Sequence, residues 1–283
     1  MFGINYLITK RYLKNIRKSY LQNYPQVACY SHDLISTAIA LHGRYENNEL
    51  EFLSENLFPS LQHRRICLDI GANIGNHSLA FAEHFASVHA FELHPKTFKL
   101  LSINAELNAA IYPRNIGVSD KCGELEGRGA PSSLGSFSLS EQAGSHHGDF
   151  MKVKIDRLDN LLTREEMACV DFIKMDIEGH EAAALRGASE LLQNHAPVVA
   201  MEIDRKSVSN GQSEATQIIK QYGYHHTYQI ADGTLPRPLR KLLNCLEPVF
   251  TSRLHQPNMN LLPMKELNSQ SHHMAIFSKY ELL

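Results

Sequence analysis

The chain predicts an α/β fold: about seven strands in one mainly parallel sheet with helices on both faces, preceded by a helical N-terminal extension. Three observations predict it. From Arg65 onward, short apolar runs alternate with amphipathic helical stretches, the pattern of βαβ units. The first apolar run passes through Asp69 into a small-residue loop, Gly71-Ala72-Asn73-Ile74-Gly75, and then into a helical pattern. Several inferred strands finish in a polar or acidic residue (Asp69, Glu92, Asp120, Asp176 and Glu202), and in an open α/β sheet such ends share the edge where ligands bind.

Residues 1–64 read as mostly helical. Residues 1–30 carry no acidic side chain, while Lys10, Arg11, Lys14, Arg17 and Lys18 are basic and Ile4, Ile8, Tyr12 and Ile16 recur at helical spacing. Such a helix either packs on the domain or lies on an anionic membrane or acidic partner. His42-Gly43-Arg44-Tyr45 reads as a turn, and Leu50, Leu53 and Leu57 form a helical face closed by Pro59.

The domain proper is expected over 65–283. Its strands are placed at 65–70, 87–91, 111–118, 170–175, 197–203 and 224–230, with a last, antiparallel edge strand at 274–279. Helices are expected from about Asn76, from Pro95 (which suits a first helical turn), from Glu181 and over 213–222. Residues 123–149, rich in Gly and Ser, read as a long mobile insertion, either a lid or a tolerated loop, with room for a short strand at Ser136–Ser140, and 231–260 as a second, irregular insertion.

Composition narrows the class. A net charge of −2 gives no global drive toward nucleic acid. Five scattered cysteines without CxxC spacing suit a reducing compartment, so a cytoplasmic protein is expected, with peripheral membrane contact through 1–24 as the alternative. No apolar run approaches the roughly 20 residues of a membrane span.

The loop is the chemical signal. Gly71 and Gly75 permit tight turns and close backbone approach, and Asn73 tolerates left-handed geometry. A dinucleotide fingerprint would place glycine at 73 and 76, where this chain has Asn, and no Gly-Lys-Ser/Thr follows for a phosphate loop. Glu92 lies just past the second strand, where a carboxylate accepts both hydroxyls of a ribose. A nucleoside-containing ligand follows from the two together.

Asp69 to Gly75 and Phe91-Glu92-Leu93-His94-Pro95 resemble the first motif and second-strand acid of class I S-adenosylmethionine-dependent methyltransferases. Asp171 to Glu181 (DFIKMDIEGHE), with Leu185-Arg186-Gly187, Asn115 to Asp120 and Leu158-Asp159, resembles the FkbM-type members. The resemblance covers about 65–205. It implies a Rossmann-like fold and O-methylation of a saccharide, glycan, polyketide or related metabolite. Asp69, Gly71, Asn73, Gly75 and Glu92 would then bind the cofactor, with Asn115, Ser119 or Asp120 near its adenine and Asp176 near the methyl group.

A hydroxyl is a weak nucleophile that a base would help, and Asp176, Glu178, His180 and Glu181 are the candidates. His180 has the most suitable ordinary pKa; its alternative is a helix-start residue shaping the pocket, and Glu178 and Glu181 could equally complement a helix N-terminus. Asp176, Glu178, Glu202 and Asp204 could supply oxygens to Mg²⁺, but no metal is expected. A non-catalytic binding domain is the alternative function. A nucleic-acid methyltransferase is the lesser one, since strand 4 ends in Asp176-Ile177-Glu178-Gly179 and there is no basic surplus.

Overall fold

The computed structural model describes residues 20–130, 133–138, 150–203, 213–232, 259–264 and 274–282, with Leu7, Lys10, Arg11 and Lys14 before them. The rest of the basic N-terminal stretch, and Asp204, lie outside the described residues. The strands are β1 Ile66–Ile70, β2 Ser87–Phe91, β3 Ile111–Arg114, β4 Gly117–Val118, β5 Gly123–Ala130, β6 Ser133–Ser138, β7 Phe150–Asp156, β8 Val170–Met175, β9 Val198–Glu202, β10 His226–Asp232, β11 Met259–Pro263 and β12 Met274–Ser278.

The main sheet is Rossmann-like and has the order β11-β10-β12-β9-β8-β1-β2-β3. Its centre is parallel: β1 pairs with β2 and β8, β2 with β3, and β8 with β9. β12 is antiparallel to both β9 and β10. Two sequence expectations change. β12 is not an edge strand but sits inside the sheet, and Ala275, Ile276 and Phe277 are all buried. The apolar run is as well suited to an interior strand, whose faces are both covered, as to an edge. The sheet also has eight described strands instead of seven, because β11, in and just beyond the stretch expected to be irregular, pairs antiparallel with β10.

A second sheet, β4-β7-β5-β6, lies beside the first. The mobile insertion expected over 123–149 is therefore corrected over its described part: β5 and β6 are strands, and 139–149 fall outside the described residues. Despite its glycines, β5 sets Glu124 opposite Lys154, Leu125 opposite Val153 and Glu126 opposite Lys152. Opposite charges and apolar partners across the ladder offset the weak strand propensity. The single strand expected over 111–118 splits, with β3 in the main sheet and β4 in the second.

Alternation in β1 divides the core. Ile66, Leu68 and Ile70 face one side, where α5 Leu158–Leu161, α6 Arg164–Met167, α7 Glu181–Gly187, α8 Ser189–Asn194 and α9 Glu214–Gln221 pack. Cys67 faces the other side, with α2 Asn47–Phe52, α3 Asn76–Phe81 and α4 Pro95–Ala105. There Phe58 meets Phe81, Phe85 and Phe172 edge-on at centroid distances of 5.7, 5.0 and 5.2 Å. Each such pair adds about 0.5–1.5 kcal/mol beyond area burial. Leu50, Leu53, Leu57 and Phe58 are fully buried, so residues 50–61 belong to this layer. Before them lies α1 Leu34–His42, capped by the Asp33 side chain and ended by left-handed Gly43. Among the described residues no helix is long and apolar enough to cross a membrane.

Candidate active site

A cavity of about 370 Å³ opens at the carboxyl ends of β1, β2, β8 and β9. That lies within the roughly 300–1,000 Å³ typical of small-molecule sites.

The β1 loop forms its floor. Gly71, Asn73 and Gly75 all have positive φ, at 83°, 51° and 90°. At Gly71 the requirement is also steric: a Cβ there would lie 1.8 Å from the carbonyl oxygen of Asp176. The amides of Gly71 and Ala72 both donate to the carbonyl of Phe91, and the Asp176 amide to that of Ile70. The loop is thus stitched to both neighbouring strands.

Glu92 stands at the end of β2 in the cavity wall. Its Oε2 accepts from the Asn73 amide at 2.9 Å and its Oε1 from the His94 amide at 2.7 Å. Each oxygen retains a lone pair for a ligand hydroxyl. Burial raises the carboxyl to about 7, against the two amides and Lys174, which favour the ionised form.

Four expected cofactor residues do not line the cavity: Gly75, which caps the helix after the loop, and three polar side chains. Asp69 is wholly buried beneath the loop, accepting from Ser78 Oγ at 2.6 Å and lying 3.7 Å from Lys174 Nζ. Asn115 turns back to donate to the carbonyls of Glu92 and Leu93. Asp120 pairs with Arg186 at 3.7 Å. The wall where an adenine was expected is made by Leu93, Ile116, Gly117 and Val118. Asn115 and Asp120, before and after that apolar segment, are held away from the cavity by these contacts.

Asp176, Glu178 and His180 all line the cavity. Glu178 and Gly179 are both left-handed, with φ of 53° and 94°. This turn is held by Glu181, whose Oε1 accepts from the amides of Ile177 and Gly179. Glu181 is therefore an internal brace and does not line the cavity. His180 Nε2 lies 2.9 Å from Ser119 Oγ, and burial holds its imidazole below its ordinary value.

Lys174 was missed by the sequence reading. Its register partner on β1 is Asp69, and its buried ammonium also reaches Asp176 Oδ2 at 3.3 Å and the Gly71 carbonyl at 3.4 Å. Burial pulls its pKa down, but Asp176, Asp69 and Glu46 outweigh that and raise it. Asp176 in turn is held below the carboxylate range against its own burial, by Lys174 and a hydrogen bond with Glu202. Glu202 is pushed up, by burial first and then by Asp176. The two carboxyls are thus driven in opposite directions. A lone lysine in an apolar strand, two residues before Asp176, was the available signal.

The N-terminal segment also contributes, which the sequence did not reveal. Asp33, Leu34, Ile35, Tyr45 and Glu46 line the cavity. Asn76, counted in the sequence only as a departure from a dinucleotide motif, binds both backbone groups of Tyr45, accepting from its amide at 3.0 Å and donating to its carbonyl at 2.9 Å. His77 Nε2 lies 3.1 Å from Glu46 Oε2. Among the described residues, no three His, Cys, Asp or Glu side chains are disposed to hold a metal ion.

A family profile described as the methyltransferase FkbM domain matches residues 69–226. The hexuronic acid methyltransferase AglP of Haloferax volcanii is 30% identical over 171 residues, 58% of this chain and 69% of that protein. The crystal structure of methyltransferase FkbM from Methylobacillus flagellatus KT is similar with a TM-score of 0.42 at 15% identity. That alignment covers 93% of this chain and 59% of the other, so this chain spans less than two thirds of it. Precorrin-6y C5,15-methyltransferase from Geobacter metallireducens GS-15 gives a TM-score of 0.43 at 9% identity, covering 91% and 100%. The loop, the second-strand acid and the DIEGHE segment all fall within the matched residues: the chain belongs to the FkbM methyltransferase family and is an S-adenosylmethionine-dependent methyltransferase.

Proposed function

We propose that the protein transfers a methyl group from S-adenosylmethionine to a hydroxyl of a saccharide. The observation that carries the reading is Glu92, presented in the cavity wall with both oxygens oriented by backbone amides. The apolar Leu93, Ile116, Gly117 and Val118 suit the flat face of an adenine, and the cavity volume suits a ligand of this size. The sugar class is favoured by the name of the Haloferax relative, a hexuronic acid methyltransferase.

In this site the cofactor supplies a methyl group on a cationic sulfur, open to in-line attack by an oxygen. Glu92 accepts the ribose hydroxyls, and the left-handed β1 loop holds the methionine end. Asp176, kept ionised by Lys174, would accept a hydrogen bond from the acceptor hydroxyl, aim its lone pair and take up its proton as the oxygen–carbon bond forms and the carbon–sulfur bond breaks. His180, engaged by Ser119, shapes the wall and positions the β8 turn. Asn115 and Asp120 act from outside the cavity, and Asp69 from below it.

Calorimetry with S-adenosylhomocysteine tests the cofactor half, and transfer of a labelled methyl group to a panel of sugars tests the acceptor half. Affinity undiminished in Glu92→Ala would overturn the ribose assignment. Transfer to polyketide alcohols in preference to sugars would overturn the acceptor class.

A further inference from the structure

We propose that Tyr45 and Glu46 form the acceptor-reading end of the cavity and select a saccharide presenting uncharged hydroxyls over one presenting a carboxylate. This rests on the methyl-transfer reading of the same cavity. The two residues line the cavity within electrostatic range of the groups at the ends of β8 and β9. Glu46 feels Lys174 and Asp176, and Tyr45 feels Glu46, Asp176 and Glu202. The proposed ribose and adenine contacts, Glu92, Leu93, Ile116 and Val118, stand instead at the ends of β2 and β4.

The placement is enforced. Asn76, at the start of the helix that follows the β1 loop, clamps both backbone groups of Tyr45. Glu46 is held in left-handed backbone, with φ of 53°, a conformation that costs a non-glycine residue energy and persists only where the surroundings impose it. Its carboxylate lies 3.1 Å from His77 Nε2. Each carboxylate oxygen can still accept a further hydrogen bond from a sugar hydroxyl.

Charge then decides what fits. Six carboxyl side chains line the cavity: Asp33, Glu46, Glu92, Asp176, Glu178 and Glu202. The cationic or potentially cationic groups there are Lys174, His77 and His180, each already engaged, by Asp69 and Asp176, by Glu46, and by Ser119. Among the described residues, the lining holds no cation without a partner to receive an acceptor carboxylate. An anionic sugar would meet repulsion at this end, whereas hydroxyl donors would be welcomed.

The test loads wild type, Glu46→Gln and Tyr45→Phe with S-adenosylhomocysteine and measures methyl glucoside and methyl glucuronide binding by saturation-transfer NMR with competition. Wild type should favour the glucoside by about tenfold, the scale of one charge-assisted hydrogen bond. Glu46→Gln should cut that preference to about threefold or less, and Tyr45→Phe should weaken glucoside binding severalfold. S-adenosylhomocysteine affinity should stay within about twofold in both variants. Preference for the glucuronide, binding of neither sugar, or an unchanged ratio in Glu46→Gln would overturn the proposal. Should Glu46→Gln not fold, the same ratio in Glu46→Asp decides, an unchanged or larger preference for the glucoside being the expected result and its loss the refutation. Failure of wild type to bind S-adenosylhomocysteine would instead remove the methyl-transfer reading.

Discussion

Cofactor affinity should depend on pH through Glu92, and Glu92→Gln should abolish that dependence. Burial lifts this carboxyl to about 7, so near neutrality the free protein is a mixture of protonated and ionised forms. Both oxygens already accept from amides, at 2.9 and 2.7 Å, and only the ionised form keeps both free of a proton while offering lone pairs to two ribose hydroxyls. If the ligand binds the ionised form alone, the apparent Kd carries the factor 1 + 10^(pKa − pH). With a pKa of about 7, it falls about tenfold between roughly pH 6 and pH 8 and then levels off.

The stability effect has the opposite direction. The folded pKa lies above the unfolded value, so the native state binds the extra proton and stability falls as pH rises from about 4.5 to about 7. Ligand affinity therefore rises across a range in which the unliganded protein loses stability. Calorimetric titration of S-adenosylhomocysteine across this range, in buffers of differing ionisation enthalpy, reads both the Kd and the proton released. A flat profile in wild type, or an equal slope in Glu92→Gln, would refute the argument.

Three further outcomes are expected. Gly71→Ala should destabilise by more than about 2 kcal/mol in urea denaturation, since the new methyl meets the Asp176 carbonyl in a backbone conformation that disfavours side chains; a loss below that would mean the loop relaxes freely. Lys174→Met should cost roughly 3–5 kcal/mol by the same measurement, because it leaves Asp69 buried without its counter-charge; near-neutral stability would show the pair to be dispensable. His180→Asn should lower kcat by less than about tenfold and leave the pH profile in place, as befits a positioning residue; a larger fall with loss of a basic limb would make it the general base.

The parts of this protein legible in the sequence are those with local causes. β2 and β8 run where the apolar periodicity put them, and β1 differs by one residue, because a buried parallel strand needs an apolar run and little else. Gly71, Asn73 and Gly75 take the left-handed backbone their residue types permit. β5 was obscured by its glycines, since the charges that pair it lie on β7, well downstream in the chain.

By itself, then, the sequence determined the parallel core, the loop at its edge, Glu92 beside it and the methyltransferase family. Tertiary structure alone decided which polar residues line the cavity. Asn115 and Asp120 look like site residues by position and are turned outward by Leu93 and Arg186. Tyr45 and Glu46 carry no motif, and Lys174 lies in one without its role being legible there, yet they reach the cavity through Asn76, His77 and Asp69. A side chain's direction at a strand end depends on partners many residues away, and local periodicity is blind to those contacts.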